Sequence, residues 1–131
     1  MQKRFNMYKF SENELYVEIP NKPDYISLIE FKTLATEAQE KDIKDIILSG
    51  EGLTEHPDFL KILEDACSRG FDISIITDGN WTRNWAEEFD KYKVKQVQFS
   101  YQGKEDTDAQ LQAIQDVEEV GIDVVLLGED E

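Results

Sequence analysis

The sequence predicts an α/β protein in which five mainly parallel strands alternate with four helices, and three observations predict it. Short β-rich runs alternate with stretches of helical hydrophobic period along nearly the whole chain, which is the order of βα units around a mainly parallel sheet. The candidate strand around Ile46, Ile47 and Leu48 is apolar at consecutive positions, as a strand covered on both faces should be. Gly52, Gly79, Gly103 and Gly128 each follow a candidate strand, and their spacings of 27, 24 and 25 residues mark one βα unit per period. A partial (β/α) barrel and an open flavodoxin-like sheet share this alternation.

The first strand, Leu15 to Ile19, is expected to pair as a hairpin with Phe5 to Phe10 across the polar turn Ser11-Glu12-Asn13-Glu14, so that residues 1–14 supply the hairpin strand. Pro20 and Pro23 close it off. A helix from about Ser27 to Lys41 follows, with Ser27 and Glu30 at capping-box spacing and Leu28, Phe31, Leu34, Ala35 and Ala38 on one face. The strand Asp45 to Leu48 leads to a second helix that has Pro57 in its first turn, Phe59, Leu60, Leu63, Ala66 and Cys67 on its inner side, and Gly70 as its stop. Phe71 to Ile76 repeats the strand. Thr82 is expected to cap a third helix carrying Trp85, Ala86, Phe89 and Tyr92, before the strand Val94 to Phe99. Leu111, Ile114, Val117 and Val120 mark a fourth helix ended by Gly121, and Ile122 to Leu127 is the last strand, before an acidic tail at 129–131. No linker interrupts this order, so residues 1–131 read as one domain.

Composition narrows the function classes. Fourteen Lys and Arg against twenty-nine Asp and Glu leave a formal charge of −15, which repels phosphate backbones, and no basic patch offsets it. Direct nucleic-acid binding is therefore not expected. With 40% of its residues hydrophobic and 11% aromatic, the sequence differs from acidic disordered segments. A single cysteine excludes an intramolecular disulfide, and no apolar N-terminal run points to secretion or a membrane, so the expected setting is the cytoplasm. His56, the only histidine, leaves no multi-histidine metal site and fits a structural place at a helix N-terminus; Cys67 fits a core position. Trp81, next to the Thr82 cap, reads either as a hydrophobic staple against Ala86 or Trp85 or as an exposed contact for a ligand or partner.

Parallel strands bring the loops that follow them to one sheet edge, where α/β proteins bind ligands. Glu51, Asp78 and Glu129 are expected to gather there and would favour an amine, a sulfonium or a divalent cation. Glycine in tight βα turns also has a purely steric reading.

The stretch from Ile46 to Gly103 resembles the core of the radical S-adenosylmethionine enzymes, partial α/β barrels that cleave that cofactor at an iron–sulfur cluster. The resemblance rests on Ser49-Gly50-Glu51-Gly52-Leu53 followed by His56-Pro57-Asp58-Phe59, on Gly70-Phe71 with Thr77-Asp78-Gly79, and on Ser100 with Gly103. It implies a cofactor-binding set of Gly50, Glu51, Gly52, Thr77, Asp78 and Ser100, with Glu51 beside the methionine amino group and Ser100 near the ribose or carboxylate. The family's three-cysteine loop after the first strand is replaced by Asn21-Lys22-Pro23-Asp24-Tyr25, and a four-iron cluster needs several thiolates. The expectation is a cluster-free relative with no catalytic residue and no metal site: a binding or interaction module that works through a protein partner and can retain an S-adenosylmethionine-like ligand. Two other readings stand beside it. One is an acidic protein competing with nucleic acid for a basic partner; the other is a small hydrolase or transferase using Glu51 and Asp78 with a divalent metal. Nothing in the sequence fixes an oligomeric state.

Overall fold

Among the described residues, six strands form one open sheet in the order of the chain, and four helices lie among them. The structure is a computed structural model that describes residues 8–19, 26–50, 52–81, 83–100 and 107–127. Strands β1 (Tyr8–Phe10) and β2 (Glu14–Glu18) make an antiparallel hairpin with Tyr8 opposite Val17, closed by a Ser11 N–H that donates to the Glu14 carbonyl at 2.9 Å. From β2 onward every pairing is parallel, through β3 (Asp45–Ser49), β4 (Asp72–Thr77), β5 (Val94–Ser100) and β6 (Asp123–Leu127). The sheet is thus open, like one of the expected arrangements, and its strands follow chain order, like the other.

Chain order has a consequence for layering. Each parallel crossover is right-handed by strong preference, and successive crossovers running in one direction put their helices on the same face. Helices α1 (Leu28–Glu40), α2 (Phe59–Ser68), α3 (Ala86–Lys91) and α4 (Thr107–Glu119) fit this, since α1 packs on α2 and α3 on α4. Under them lie the alternate residues Leu15, Val17 and Ile19 of the first parallel strand and its end, then Ile46, Leu48, Ile73, Ile75, Val97 and Phe99, all buried. The opposite alternate set, with Tyr16, Ile47, Ser74 and Gln96 in one paired row, faces away from the helices and is half-buried. Among the described residues, helices roof only one face of this sheet.

Local sequence explains most boundaries. Ser27 caps α1 as a capping box: its hydroxyl accepts from Glu30 N–H at 3.1 Å, and the Glu30 carboxylate accepts from Ser27 N–H at 2.9 Å. Three helical expectations need correction. Helix α2 starts at Phe59, because Leu53–Glu55 form a separate 3-10 turn and Pro57 lies in the connection after it. Helix α3 starts at Ala86 rather than at a Thr82 cap; Thr82 lies outside the described residues, and Asn84 supplies the local acceptor, its Oδ1 taking the Ala86 N–H at 2.9 Å. In α4 the inward positions are Gln110, Ala113 and Val117, so Leu111, expected on the apolar face, is 54% exposed. Residues 5–7 of the expected hairpin strand, Pro20 to Tyr25 and the acidic tail also lie outside the described residues.

Candidate functional site

The carboxyl ends of β3, β4 and β5 define the rim on which the expected site residues fall. At β3, the Ile19 N–H donates to the Ser49 carbonyl at 2.7 Å, and the Gly50 N–H donates to the Ile76 carbonyl at 3.3 Å. The Ser49 carbonyl and the Gly50 N–H together therefore tie the end of β3 to the strands on either side of it. A Cβ built there would collide with the Ile19 carbonyl, and its φ of 153° suits glycine, so close backbone approach dictates this residue. Gly52, at φ 73°, is the left-handed residue that opens the 3-10 turn. Glu51, between them, lies outside the described residues.

At β4 the site residues part company. Thr77 pairs with Phe99 and shares its helix-covered side; it is buried, and its Oγ1 accepts the Gly79 N–H at 3.1 Å. It forms the turn and does not face the open side with Ser100. Asp78 follows the opposite alternation and is half-buried, with one carboxylate oxygen accepting the Asn80 N–H at 3.0 Å. Ser100 ends β5 opposite Leu127, in the same alternation as Gln98 and Gln96 on the open face.

What joins Asp78 to Ser100 is a residue that no motif pointed to. Gln110, buried in the first half of α4, donates from Nε2 to the Asp78 carbonyl at 2.8 Å and to the Ser100 carbonyl at 3.1 Å. One amide group thus satisfies the last carbonyl of β5 and the first carbonyl after β4, and holds the two strand ends together. Gly79, at φ 77°, fits beneath it, since an added Cβ would lie 3.0 Å from the Phe99 ring and 3.3 Å from Gln110 Cγ. The signal for Gln110 was positional: it is one helical turn before Ala113 and two before Val117, and a glutamine held inward at that spacing must find backbone partners.

Trp81 packs edge-on to Phe89 with ring centroids 5.5 Å apart and lies 5.9 Å from Phe99. Half-buried, it packs into the core with these rings and is not an exposed contact. Its indole N–H is buried without a hydrogen-bond partner among the described residues. His56 is structural: Nε2 lies 2.6 Å from the Ile26 carbonyl, and Nδ1 accepts the Asp58 N–H at 2.9 Å. Those contacts require the neutral ring with its proton on Nε2. In this way His56 ties the start of α1 to the start of α2.

The donor set does not fit an iron–sulfur cluster, because the chain has one thiol and Cys67 packs against the core from α2. Among the described residues no three His, Cys, Asp or Glu side chains gather into a metal-holding group, and no helix is long and apolar enough to cross a membrane. For a small organic ligand the open side of the rim offers the Asp78 carboxylate and the Ser100 hydroxyl. No protein-family model matches the sequence, and no curated protein matches it.

Proposed function

We propose that this chain is a non-catalytic cytosolic binding module, a cluster-free relative of the radical S-adenosylmethionine proteins, that takes a small cationic ligand of the S-adenosylmethionine type at the carboxyl rim of its sheet. The observation that carries this reading is the pairing of Asp78 and Ser100 on adjacent strand ends through Gln110. Asp78 would face the sulfonium or amino group by charge attraction, and Ser100 would hydrogen-bond a hydroxyl or carboxylate. The resemblance adds Glu51 with Gly50 and Gly52 to this set, while Thr77 serves the turn. Titration calorimetry with S-adenosylmethionine tests it. Binding heat that is lost in Asp78→Ala and Glu51→Ala supports the reading; no heat from the unaltered protein removes it.

A second reading, an acidic interaction protein for a basic partner, draws on one specific feature: no Lys or Arg follows Lys104 up to Glu131. Pull-down at rising salt separates the two. A partner held by charge alone is lost steeply as the ions screen it, whereas one held in a pocket or on an apolar surface persists.

A further inference from the structure

The two edges of the sheet are built differently. Among the described residues the β1 edge is three residues long, and it carries Lys9, which discourages a further strand from pairing there. The β6 edge is five residues long, reads Asp123-Val124-Val125-Leu126-Leu127, and pairs with β5 alone among the described residues. It carries no proline, lysine or arginine. On its helix side Leu126 is 67% exposed, and on α4 above it Leu111 is exposed as well, about 100° around the helix from the buried Gln110.

Charge identifies the occupant. Asp108, Asp116, Glu118, Glu119 and Asp123 are the ionisable side chains of α4 and β6 and of the turn that joins them, with no basic residue among them. A second copy of this chain would bring the same acidic surround against itself. A segment with apolar residues flanked by Lys or Arg meets both features. We propose that the β6 edge is a docking site for an extended, basic protein segment, which adds as a seventh strand, lays alternate apolar side chains over Leu126 and Leu111, and sets its cations against the acidic surround. Main-chain hydrogen bonds would supply affinity, and the leucines and charges would supply selection. This rests on the second functional reading and adds the place and geometry of contact to it. It does not depend on a ligand at the carboxyl rim.

The test uses the full chain and three synthetic peptides. The first is Lys-Lys-Val-Thr-Val-Thr-Val-Lys-Lys; the second has the same sequence with alternate backbone nitrogens methylated; the third replaces every Lys by Glu. The first peptide is expected to bind, to slow amide exchange within residues 123–127, and to lose affinity by about tenfold in Leu126→Ser. Tyr8→Ser, on the opposite edge, should leave its affinity unchanged. The methylated and acidic peptides should bind far more weakly. Equal binding of the methylated peptide would mean that charge alone holds the partner, which keeps the acidic-partner reading and overturns the strand site. Protection that maps to β1 or to the open sheet face overturns the site, as does the absence of binding by the first peptide. Sedimentation of the protein alone gives the last outcome: dimerisation abolished by Leu126→Ser would assign the edge to a second copy instead.

Discussion

The helix-covered face of the sheet and its open face share the same strands and differ at every second residue. On β3 the covered positions are Ile46 and Leu48, both fully buried, while Ile47 between them is half-buried on the side without helices. On β5 the covered positions are Val97 and Phe99, and the open ones are Gln96, Gln98 and Ser100, with Gln98 donating to Gln96 at 2.8 Å. The covered face is a continuous apolar core, and the open face mixes Tyr16, Ile47 and Ile76 with serines and glutamines. One face therefore carries stability, and the other is free to carry polar groups to the rim.

The largest expected effect that sharpens this contrast is Phe99→Ala, which empties a buried site beneath Gly79 and Trp81 and should cost about 3–5 kcal/mol in denaturant unfolding. A cost near that of a surface change would mean that the covered face is not the core. Next comes Gly50→Ala, where a methyl group is driven against the Ile19 backbone; a loss of about 3 kcal/mol is expected, at the upper end of overpacking costs. Gln110→Leu keeps the shape but leaves the Asp78 and Ser100 carbonyls without their donor, so stability should fall by about 2 kcal/mol. In the same variant S-adenosylmethionine binding should weaken, and Gln110→Glu, which removes the donating nitrogen, should behave alike. The smallest effect belongs to the open face: Ile47→Ala should cost only about 1 kcal/mol, because the methylenes removed are already partly in water. If Ile47→Ala costs as much as Phe99→Ala, something buries the open face in solution, and the contrast between the faces breaks.

Much of this was legible in the chain. The alternation of periods placed all four helices and the five parallel strands within a few residues, because burying one stripe of a helix or a whole strand forces a pattern that local sequence must show. Ser27 with Glu30 announced a capping box, and the box is there. Continuous apolarity in Ile46-Ile47-Leu48 suggests a strand roofed on both sides, yet among the described residues helices cover only one face, since a half-buried isoleucine and a buried one look the same in sequence. Competing local bonds shift two helix starts: Asn84 takes the Ala86 N–H at the start of α3, and the separate 3-10 turn precedes an α2 that begins at Phe59. In α4 the rotation was misjudged because Leu111, Ile114 and Val117 form a plausible stripe, while Gln110 reaches inward for two carbonyls that belong to strands far from it in sequence.

For the site, the motif glycines were visible, and so was the common edge of the loops that follow parallel strands. Thr77 was visible too, but its side of the sheet was not, and that parity separates it from Ser100. Sequence by itself determined the α/β class, the order of the elements, the presence of a single cysteine and the acidic balance, because each follows from residue type and period along the chain. Tertiary structure alone decided that the strands lie in chain order with the described helices on one face, that Gly50 must be glycine beneath Ile19, and that Gln110 joins Asp78 to Ser100. Those facts depend on which distant backbones come within hydrogen-bonding or van der Waals distance, and no local pattern encodes such distances.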